Sequence, residues 1–305
     1  ARGVRGVAYR DPAGGLAHNG RARPVSLADF PPFSVRYRRM GPIELTRGCP
    51  HRCRFCAAPF LTGRRPRHRP LAQVLSAVEA GLRHGIDQVR FVAPDSFAYG
   101  SAGDGPRLDL LEELLRVTSR LAGRENVFLG SFPSEVRPES VTPRAVELVA
   151  RYCGNDNLVI GAQSGSERLL ARMQRGHSPD DVRRAVAITQ ASGLRANVDI
   201  IFGLPGETAD DRLQTLRLID ELARDGARIH SHTFMPLPGS AWARCAPGSV
   251  DDATARWLGA LAGQGKQYGS WQKQQAQARQ MVEFLARLEA RGPRRQAGLP
   301  LDRTT

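Results

Sequence analysis

A repeated order of strand and helix organises the chain from residue 43 onward. Six short apolar segments are each followed by a turn-rich loop, and five of these loops lead into segments with helical periodicity. The predicted strands lie within residues 41–46, 88–96, 127–132, 157–163, 196–204 and 228–237. The predicted helices cover residues 70–85, 106–122, 142–152, 166–174, 179–192 and 207–225. Strands that alternate with such helices form βαβ units with parallel strands. Periodicity alone does not distinguish a doubly wound sheet from a partial barrel.

Two segments flank this predicted core of residues 43–240. Residues 1–42 are rich in Gly, Pro and Arg and are predicted to form an arm or linker, with a small hairpin that turns at DPAGG. Residues 241–305 are predicted to form a helical extension, with helices at 250–265 and 268–291 and a disordered tail from Gly292. The chain is 41% hydrophobic, which is enough for one large domain with extensions.

Three of the five cysteines lie in the segment RGCPHRCRFC, at Cys49, Cys53 and Cys56. On a helix these positions would share one face, so a buried stripe is one interpretation, but Gly48 and Pro50 are typical of a loop. A zinc site completed by His51 or a distant residue is a second interpretation. The favoured interpretation is an iron–sulfur cluster held by three thiolates, which leaves one iron open to another ligand.

The segment resembles the signature of the radical S-adenosylmethionine (SAM) superfamily, in which an aromatic residue, here Phe55, precedes the last cysteine. The resemblance implies a partial (β/α)6 TIM-like barrel and a 4Fe-4S cluster on the three cysteines. In that family SAM chelates the open iron, and an electron from an external donor such as flavodoxin or ferredoxin yields a 5'-deoxyadenosyl radical. That radical takes a hydrogen atom from the substrate. Phe55 is expected to contact the cofactor.

The resemblance also places SAM contacts after the second and third strands, because such barrels carry their sites at the carboxyl ends of the strands. Asp95, with Ser96 beside it, is expected to receive the SAM ammonium group, although an Asp that completes a turn is the alternative. Ser131 is expected to face the methionine or ribose part of SAM, and a hydroxyl bonded to the backbone is its alternative.

Further contacts are expected after the fourth and fifth strands. Gln163 and Ser164 precede a helix whose N-terminus suits an anion or a ribose oxygen, and Arg172 matches an arginine that reaches the SAM carboxylate in some relatives. Asp199 matches a ribose-binding acid. Gly203 and Pro205 lie in the segment that packs against adenine in the family.

Two histidines are candidates for proton transfer. His230 and His232 alternate on the sixth strand and therefore face the same side, where they can act as acid or base. A core histidine is the alternative for either one.

The order of three motifs indicates a resemblance to particular subgroups of this superfamily. The order QSGSERLL, DIIFGLPGET and TFMPLPGS resembles tRNA methylthiotransferases, but no cysteine precedes Cys49, which disfavours sulfur insertion. Residues 1–42 resemble the segment that follows the cobalamin-binding domain in cobalamin-dependent radical SAM proteins. The favoured function is a cobalamin-linked methyltransferase or related group transfer, with cobalamin held by a domain absent from this chain. The alternatives are a methylthiotransferase-like enzyme and a non-catalytic zinc-binding or RNA-binding protein.

The net charge does not identify a binding partner. It is +14, but Lys266 and Lys273 are the only lysines, so nearly all of the positive charge comes from arginines scattered along the chain. RNA remains an open partner, and the basic run 64–69 is predicted either to clamp an anionic substrate or to be solvated. The sequence has no apolar run long enough for a membrane span. The chain is therefore expected to be soluble, and its few cysteines suit a cytoplasmic location.

Overall fold

A computed structural model describes residues 3–12, 14–102 and 105–291 of the chain. The tail predicted from Gly292 lies outside the described residues.

The N-terminal arm begins with the expected hairpin, in which β1 (Ala8–Arg10) pairs antiparallel with β2 (Leu16–His18). Arg69 then fastens the following segment to the core. Its Nη1 donates to the carbonyl oxygens of Leu27, at 2.6 Å, and Phe30, at 2.7 Å. The prediction that the basic run either clamps a substrate or is solvated is wrong for Arg69, which is only 3% exposed.

All six predicted strands are present and parallel, and a seventh joins them. The strands that follow the hairpin are β3 (Ile43–Glu44), β4 (Thr46–Arg47), β5 (Arg67–His68), β6 (Val89–Val92), β7 (Val127–Phe128), β8 (Asn157–Gln163), β9 (Arg195–Phe202), β10 (Arg228–Thr233) and β11 (Gln267–Tyr268). One parallel sheet has the order β3-β6-β7, and another has the order β8-β9-β10-β11. The short strands β4 and β5 form a separate antiparallel pair.

The two parallel sheets meet between β7 and β8. The backbone N–H of Val159 donates to the carbonyl of Gly130 at 2.8 Å, and Val136 forms a parallel bridge with Ile160. The strands thus follow one another around a curved wall, as the partial (β/α)6 interpretation expects. Strand β11 was not predicted; it comes from the C-terminal extension and pairs with β10.

Helices connect and flank the strands of this wall. They are α1 (Ala58–Thr62), α2 (Leu71–Arg83), α3 (Leu108–Ala122), α4 (Pro143–Tyr152), α5 (Glu167–Arg172), α6 (Pro179–Ala191), α7 (Ala209–Arg224), α8 (Asp252–Gly263) and α9 (Trp271–Arg291). Helices α6 and α7 each begin with a capping box, in which Ser178 pairs with Asp181 and Thr208 with Asp211. No helix of the described residues is long and apolar enough to cross a bilayer.

Along β9, buried apolar side chains alternate with side chains that point to the opposite face, and this pattern shows which face of the sheet is available to ligands. Ala196, Val198, Ile200 and Phe202 have no exposed surface and belong to the main hydrophobic core. The residues between them include Asp199, which lines a cavity on the opposite face. Because successive strand side chains point to opposite faces, the helices cover one face of β9 and the other is left for ligands.

Candidate cofactor and active site

The cysteine segment is a loop between β4 and α1, and the buried-stripe interpretation is therefore wrong. Gly48 has φ +96°, and a Cβ there would lie 2.4 Å from the carbonyl oxygen of Arg65, so only glycine fits. The loop is tied to its surroundings by the backbone N–H of Cys49, which donates to Gly63, and by that of Arg54, which donates to Met173. These bonds fix the cysteines above the strand ends.

All three predicted cluster ligands line one cavity of about 590 Å³. Burial raises the pKa of the Cys49 and Cys56 thiols. Each sulfur also has a backbone N–H nearby; that of Ala58 donates to the Cys56 sulfur at 3.4 Å. Thiols of this kind remain protonated until a cation displaces the proton, which is how metal sites load.

The spacing of the sulfurs favours a cluster over a single zinc ion. Among the described His, Cys, Asp and Glu residues, only Asp199, His230 and His232 have ligand atoms that all lie within 4.8 Å of one another. Tetrahedral zinc with Zn–S near 2.3 Å would bring its sulfurs about 3.8 Å apart. A cluster carries its thiolates on separate irons and spaces them more widely. The residues present therefore fit a three-thiolate cluster better than a Cys3His zinc site.

Two buried guanidinium groups contact Cys53, the most buried of the three thiols. Arg137 Nη1 lies 3.6 Å from its sulfur, and Arg175 Nη1 lies 3.7 Å from it. His51 lies in the same cavity, and its pKa is lowered to about 4 by burial and by the charge of Arg137. The loop is therefore surrounded by fixed cations and a neutral imidazole.

Phe55 lines the same cavity as the three cysteines, and its contact with the cofactor stays a prediction. Of the two polar residues expected after the second strand, neither is among the lining residues. Asp95 accepts from the backbone N–H of Phe97 at 3.2 Å and from the Ser140 hydroxyl at 2.5 Å. The hydroxyls of Ser96 and Ser134 are 2.7 Å apart. Asp95 thus completes a turn, as its alternative supposed, and SAM contacts by Asp95 and Ser96 stay a prediction.

Beyond the third strand, the buried hydroxyl of Ser131 has no hydrogen-bond partner among the described residues, so it can still accept or donate to a ligand. Several residues of this loop line the cavity, among them Arg137 and the acidic residue Glu135. Burial raises the pKa of this carboxyl group against the opposing charge of Arg175, 3.9 Å away.

After the fourth strand, the predicted polar residues are buried, and Ser164 forms hydrogen bonds within the protein. Gln163 has φ +75° at a bulge in β8 and is 4% exposed. The hydroxyl of Ser164 lies 3.1 Å from that of Thr215 and accepts from the backbone N–H of Ser166. Their role in SAM binding stays a prediction.

The remaining predicted SAM residues, apart from Asp199, lie away from the cluster cavity. The Nε of Arg172 donates to the carbonyl of Pro205 at 3.0 Å. A Cβ at Gly203 would lie 2.5 Å from the backbone nitrogen of Ser249, so the close approach there is made by the chain itself. Gly203 and Pro205 line a smaller cavity of about 260 Å³. The expected contact of this segment with adenine is likewise still a prediction.

Asp199 lies beside the two predicted histidines and lines the cysteine cavity together with His230. His230 Nδ1 lies 3.0 Å from Asp199 Oδ1, and His232 Nε2 lies 3.8 Å from the same oxygen. Burial would raise the pKa of Asp199, but the histidine contacts outweigh it and lower that pKa. The ring of His230 stacks on Tyr268 at 4.5 Å, and burial raises the pKa of Tyr268 to about 12.

A glutamine decides which nitrogen of His232 carries the proton. Gln274 Oε1 accepts from the backbone N–H of Thr233 at 3.1 Å, which leaves its amide nitrogen to donate to His232 Nδ1 at 2.9 Å. Neutral His232 therefore carries its proton on Nε2, directed towards Asp199. A metal ion on that nitrogen would need the opposite tautomer, so the trio suits proton transfer rather than metal binding.

Among the lining residues that sequence reasoning missed are Glu135, Arg137, Arg175 and Tyr268. A signal existed for the first two, because SFPSEVRPES follows the third strand and is densely polar. No signal pointed to Tyr268, whose strand is two residues long.

A protein-family model described as the Radical SAM superfamily matches residues 43–219. Among proteins with similar sequences, an uncharacterised protein of Methanopyrus kandleri is 28% identical over 85% of this chain and 49% of its own length. The tRNA-2-methylthio-N(6)-dimethylallyladenosine synthase of Chlorobium limicola is 30% identical over 78% of this chain and 54% of its own length. The chain thus spans about half the length of these relatives.

Two solved structures share the fold. The radical SAM methyltransferase TsrM from Kitasatospora setae, with tryptophan and a SAM analogue bound, has a TM-score of 0.58 at 19% identity, covering 78% of this chain and 48% of its own. The cobalamin-dependent SAM radical enzyme OxsB, with aqua-cobalamin and SAM bound, has a TM-score of 0.57 at 18% identity, covering 94% and 42%. Because the family model spans more than half of the chain, including the cysteine loop and five of the six predicted strands, the chain belongs to the radical SAM superfamily.

Proposed function

We propose that this chain is the catalytic core of a radical SAM enzyme in which Cys49, Cys53 and Cys56 hold a 4Fe-4S cluster. The observation that supports this most is that the three thiols line one cavity together with Asp199 and His230. Its volume of about 590 Å³ falls within the range of about 300–1,000 Å³ that is usual for ligand sites. When bound, the cluster and SAM supply a 5'-deoxyadenosyl radical that takes a hydrogen atom from the substrate.

The residues that line the cavity would have different roles in this reaction. Phe55, Pro59 and Pro94 form apolar walls that keep water from a reactive intermediate. Glu135 is a half-buried carboxyl group whose pKa is raised by desolvation, so a cationic ligand such as SAM would favour its ionised form. Asp199 and His230 offer hydrogen-bond acceptors to a polar group of the substrate.

The reaction class that we favour is cobalamin-linked methyl transfer or a related group transfer. The shared fold with TsrM and OxsB supports it, as does the N-terminal arm. Cobalamin uptake should be measured by absorbance for this chain and for any longer gene product that contains it. We expect uptake only by the longer product; if that product binds none, the cobalamin proposal is wrong.

A second candidate is a methylthiotransferase-like enzyme, favoured by the sequence similarity to tRNA-2-methylthio-N(6)-dimethylallyladenosine synthases. The gene should be expressed in a host that lacks such an enzyme, and its tRNA nucleosides analysed by mass spectrometry. Methylthiolated adenosine would favour this candidate, whereas its absence together with cobalamin uptake would favour the first.

The decisive assay is anaerobic reconstitution with iron and sulfide, followed by reduction in the presence of SAM. We expect four irons per chain, absorbance near 400 nm and release of 5'-deoxyadenosine, all lost in Cys53→Ala. Cys153→Ala is the matched control, because Cys153 is buried in the main core. A colourless protein that binds one zinc would instead support a non-catalytic zinc or RNA-binding function.

The partners follow from this chemistry. A low-potential electron donor such as flavodoxin or ferredoxin would reduce the cluster, and a reducing, cytoplasmic compartment suits a site built on free cysteines. RNA is the natural substrate only under the second candidate.

A further inference from the structure

The three cysteines differ in what surrounds their sulfur atoms. Cys53 accepts from two guanidinium groups, whereas the Cys56 sulfur accepts a neutral backbone N–H from Ala58. A sulfur acceptor allows longer hydrogen bonds than oxygen does, so 3.6 Å and 3.7 Å are bonding distances. One corner of the site is therefore far more positive than the others.

Both guanidinium groups are held rigidly before any ligand arrives. Arg137 donates through Nε to Glu139 at 2.5 Å and through Nη2 to the carbonyl of Arg175. Arg175 donates through Nη2 to the carbonyl of Gly161 at 2.6 Å. Arg137 is 2% exposed and Arg175 4% exposed. Neither side chain has to be ordered when a cluster binds, so the full effect of its charge reaches the sulfur.

The charge around Cys53 is only partly neutralised. Glu139 pairs with Arg137, but the nearest carboxylate oxygen to Arg175 is 3.9 Å away on Glu135. The Nε of Arg175 also has no partner among the described residues. A net positive field at Cys53 favours the form of a bound cluster that carries one more negative charge.

We propose that Arg137 and Arg175 raise the reduction potential of the cluster through their bonds to the Cys53 sulfur. This inference rests on the proposed function, since it requires a cluster on these cysteines. In the step concerned, the oxidised cluster gains one electron from a low-potential one-electron donor, and no proton or bond is exchanged. The arginines act as positioning residues that stabilise the reduced form. They thereby ease reduction by a flavodoxin-class or ferredoxin-class donor.

The test is the midpoint potential of the reconstituted cluster, measured by EPR-monitored titration with dithionite and mediators. Arg175→Met should lower it, because one charged donor is lost. A tenfold shift towards the oxidised form corresponds to about 59 mV for one electron. Arg175→Lys, which keeps the charge, should lower it less. Arg183→Gln is the control, because Arg183 pairs with Asp180 and Glu221 on the surface. A variant with full iron content and the wild-type potential would overturn the inference.

A second measurement needs no variant. Wild-type chain labelled with ¹⁵N only in its arginine guanidinium groups should show a hyperfine coupling between the reduced cluster and ¹⁵N in pulsed EPR. Absence of that coupling in a reduced, iron-loaded protein would also overturn the inference. If the wild-type chain takes up no cluster at all, it is the proposed function that fails.

Discussion

Individual charged residues determine the electrostatic environment of the cysteine loop. Glu139 contacts Arg137 at 2.5 Å and His177 at 3.5 Å. Burial would raise its pKa, but the contact with His177 and the charge of Arg137 outweigh burial and lower the pKa to about 2. The carboxylate form is thus favoured by folding.

Glu139→Gln should therefore destabilise the chain in a pH-dependent manner. The ionised form contributes to the free energy of unfolding fully above the unfolded pKa of about 4.5, and this contribution is lost as the pH falls towards 2. We expect a loss of about 2 kcal/mol at pH 7 in urea denaturation, which shrinks below pH 4.5. Glu113→Gln, on the exposed face of α3, should show no such trend. An equal loss at pH 3 and pH 7 would contradict the explanation.

The protonation of His232 is a second test at the level of one residue. Long-range ¹H–¹⁵N NMR at pH 8 should show the proton of His232 on Nε2 and a bare Nδ1, because Gln274 donates to Nδ1. In Gln274→Glu the carboxylate accepts from Nδ1, so the proton should move there. Gln275→Glu, at the next position of α9, should leave the Nε2 tautomer in place. A wild-type proton on Nδ1 would exclude the proposed orientation.

At the level of elements, the C-terminal extension supports the cavity through β11 and α9. Gly269, between them, has φ +104°, and a Cβ there would lie 2.6 Å from His230 Cδ2. Tyr268 stacks on the same histidine. The C-terminal extension therefore positions His230, in addition to extending the parallel sheet through β11.

Gly269→Ala should cost about 3 kcal/mol of unfolding free energy, since it combines left-handed backbone strain with overpacking. Gly259→Ala is the opposite case, because nothing lies within 4 Å of its Cβ position in α8; it should stabilise the chain by about 1 kcal/mol. Both values come from chemical denaturation. A neutral effect of Gly269→Ala would mean that β11 does not pack on His230 as described.

The sequence indicated the elements well because each carries its own local signal. The six strands and the long helices follow from periodicity, and the hairpin follows from DPAGG. The two-residue strand β11 has no alternation to detect, so only its pairing with β10 reveals it. Side-chain direction is also a tertiary property. Asp95 ends a predicted strand, yet its carboxylate turns to Ser140, 45 residues away in sequence.

At the level of the whole molecule, cofactor loading should be coupled to stability. A ligand that binds only the folded chain stabilises it by mass action, and the cysteine loop contacts both α5 and the segment that follows β10. We expect the melting temperature to rise on anaerobic cluster loading and to fall again after chelation. The rise should be absent in Cys53→Ala and present in Cys153→Ala. A rise of equal size in Cys53→Ala would show that iron binds elsewhere.

Under the proposed function, three thiolates leave one iron of the cluster open to SAM. The test of this claim is EPR of the reduced, reconstituted chain, with spectra recorded before and after SAM is added. Coordination of SAM to the open iron should change the g values and give a hyperfine coupling to SAM labelled with ¹⁷O in its carboxylate. An unchanged spectrum with no coupling would contradict the claim.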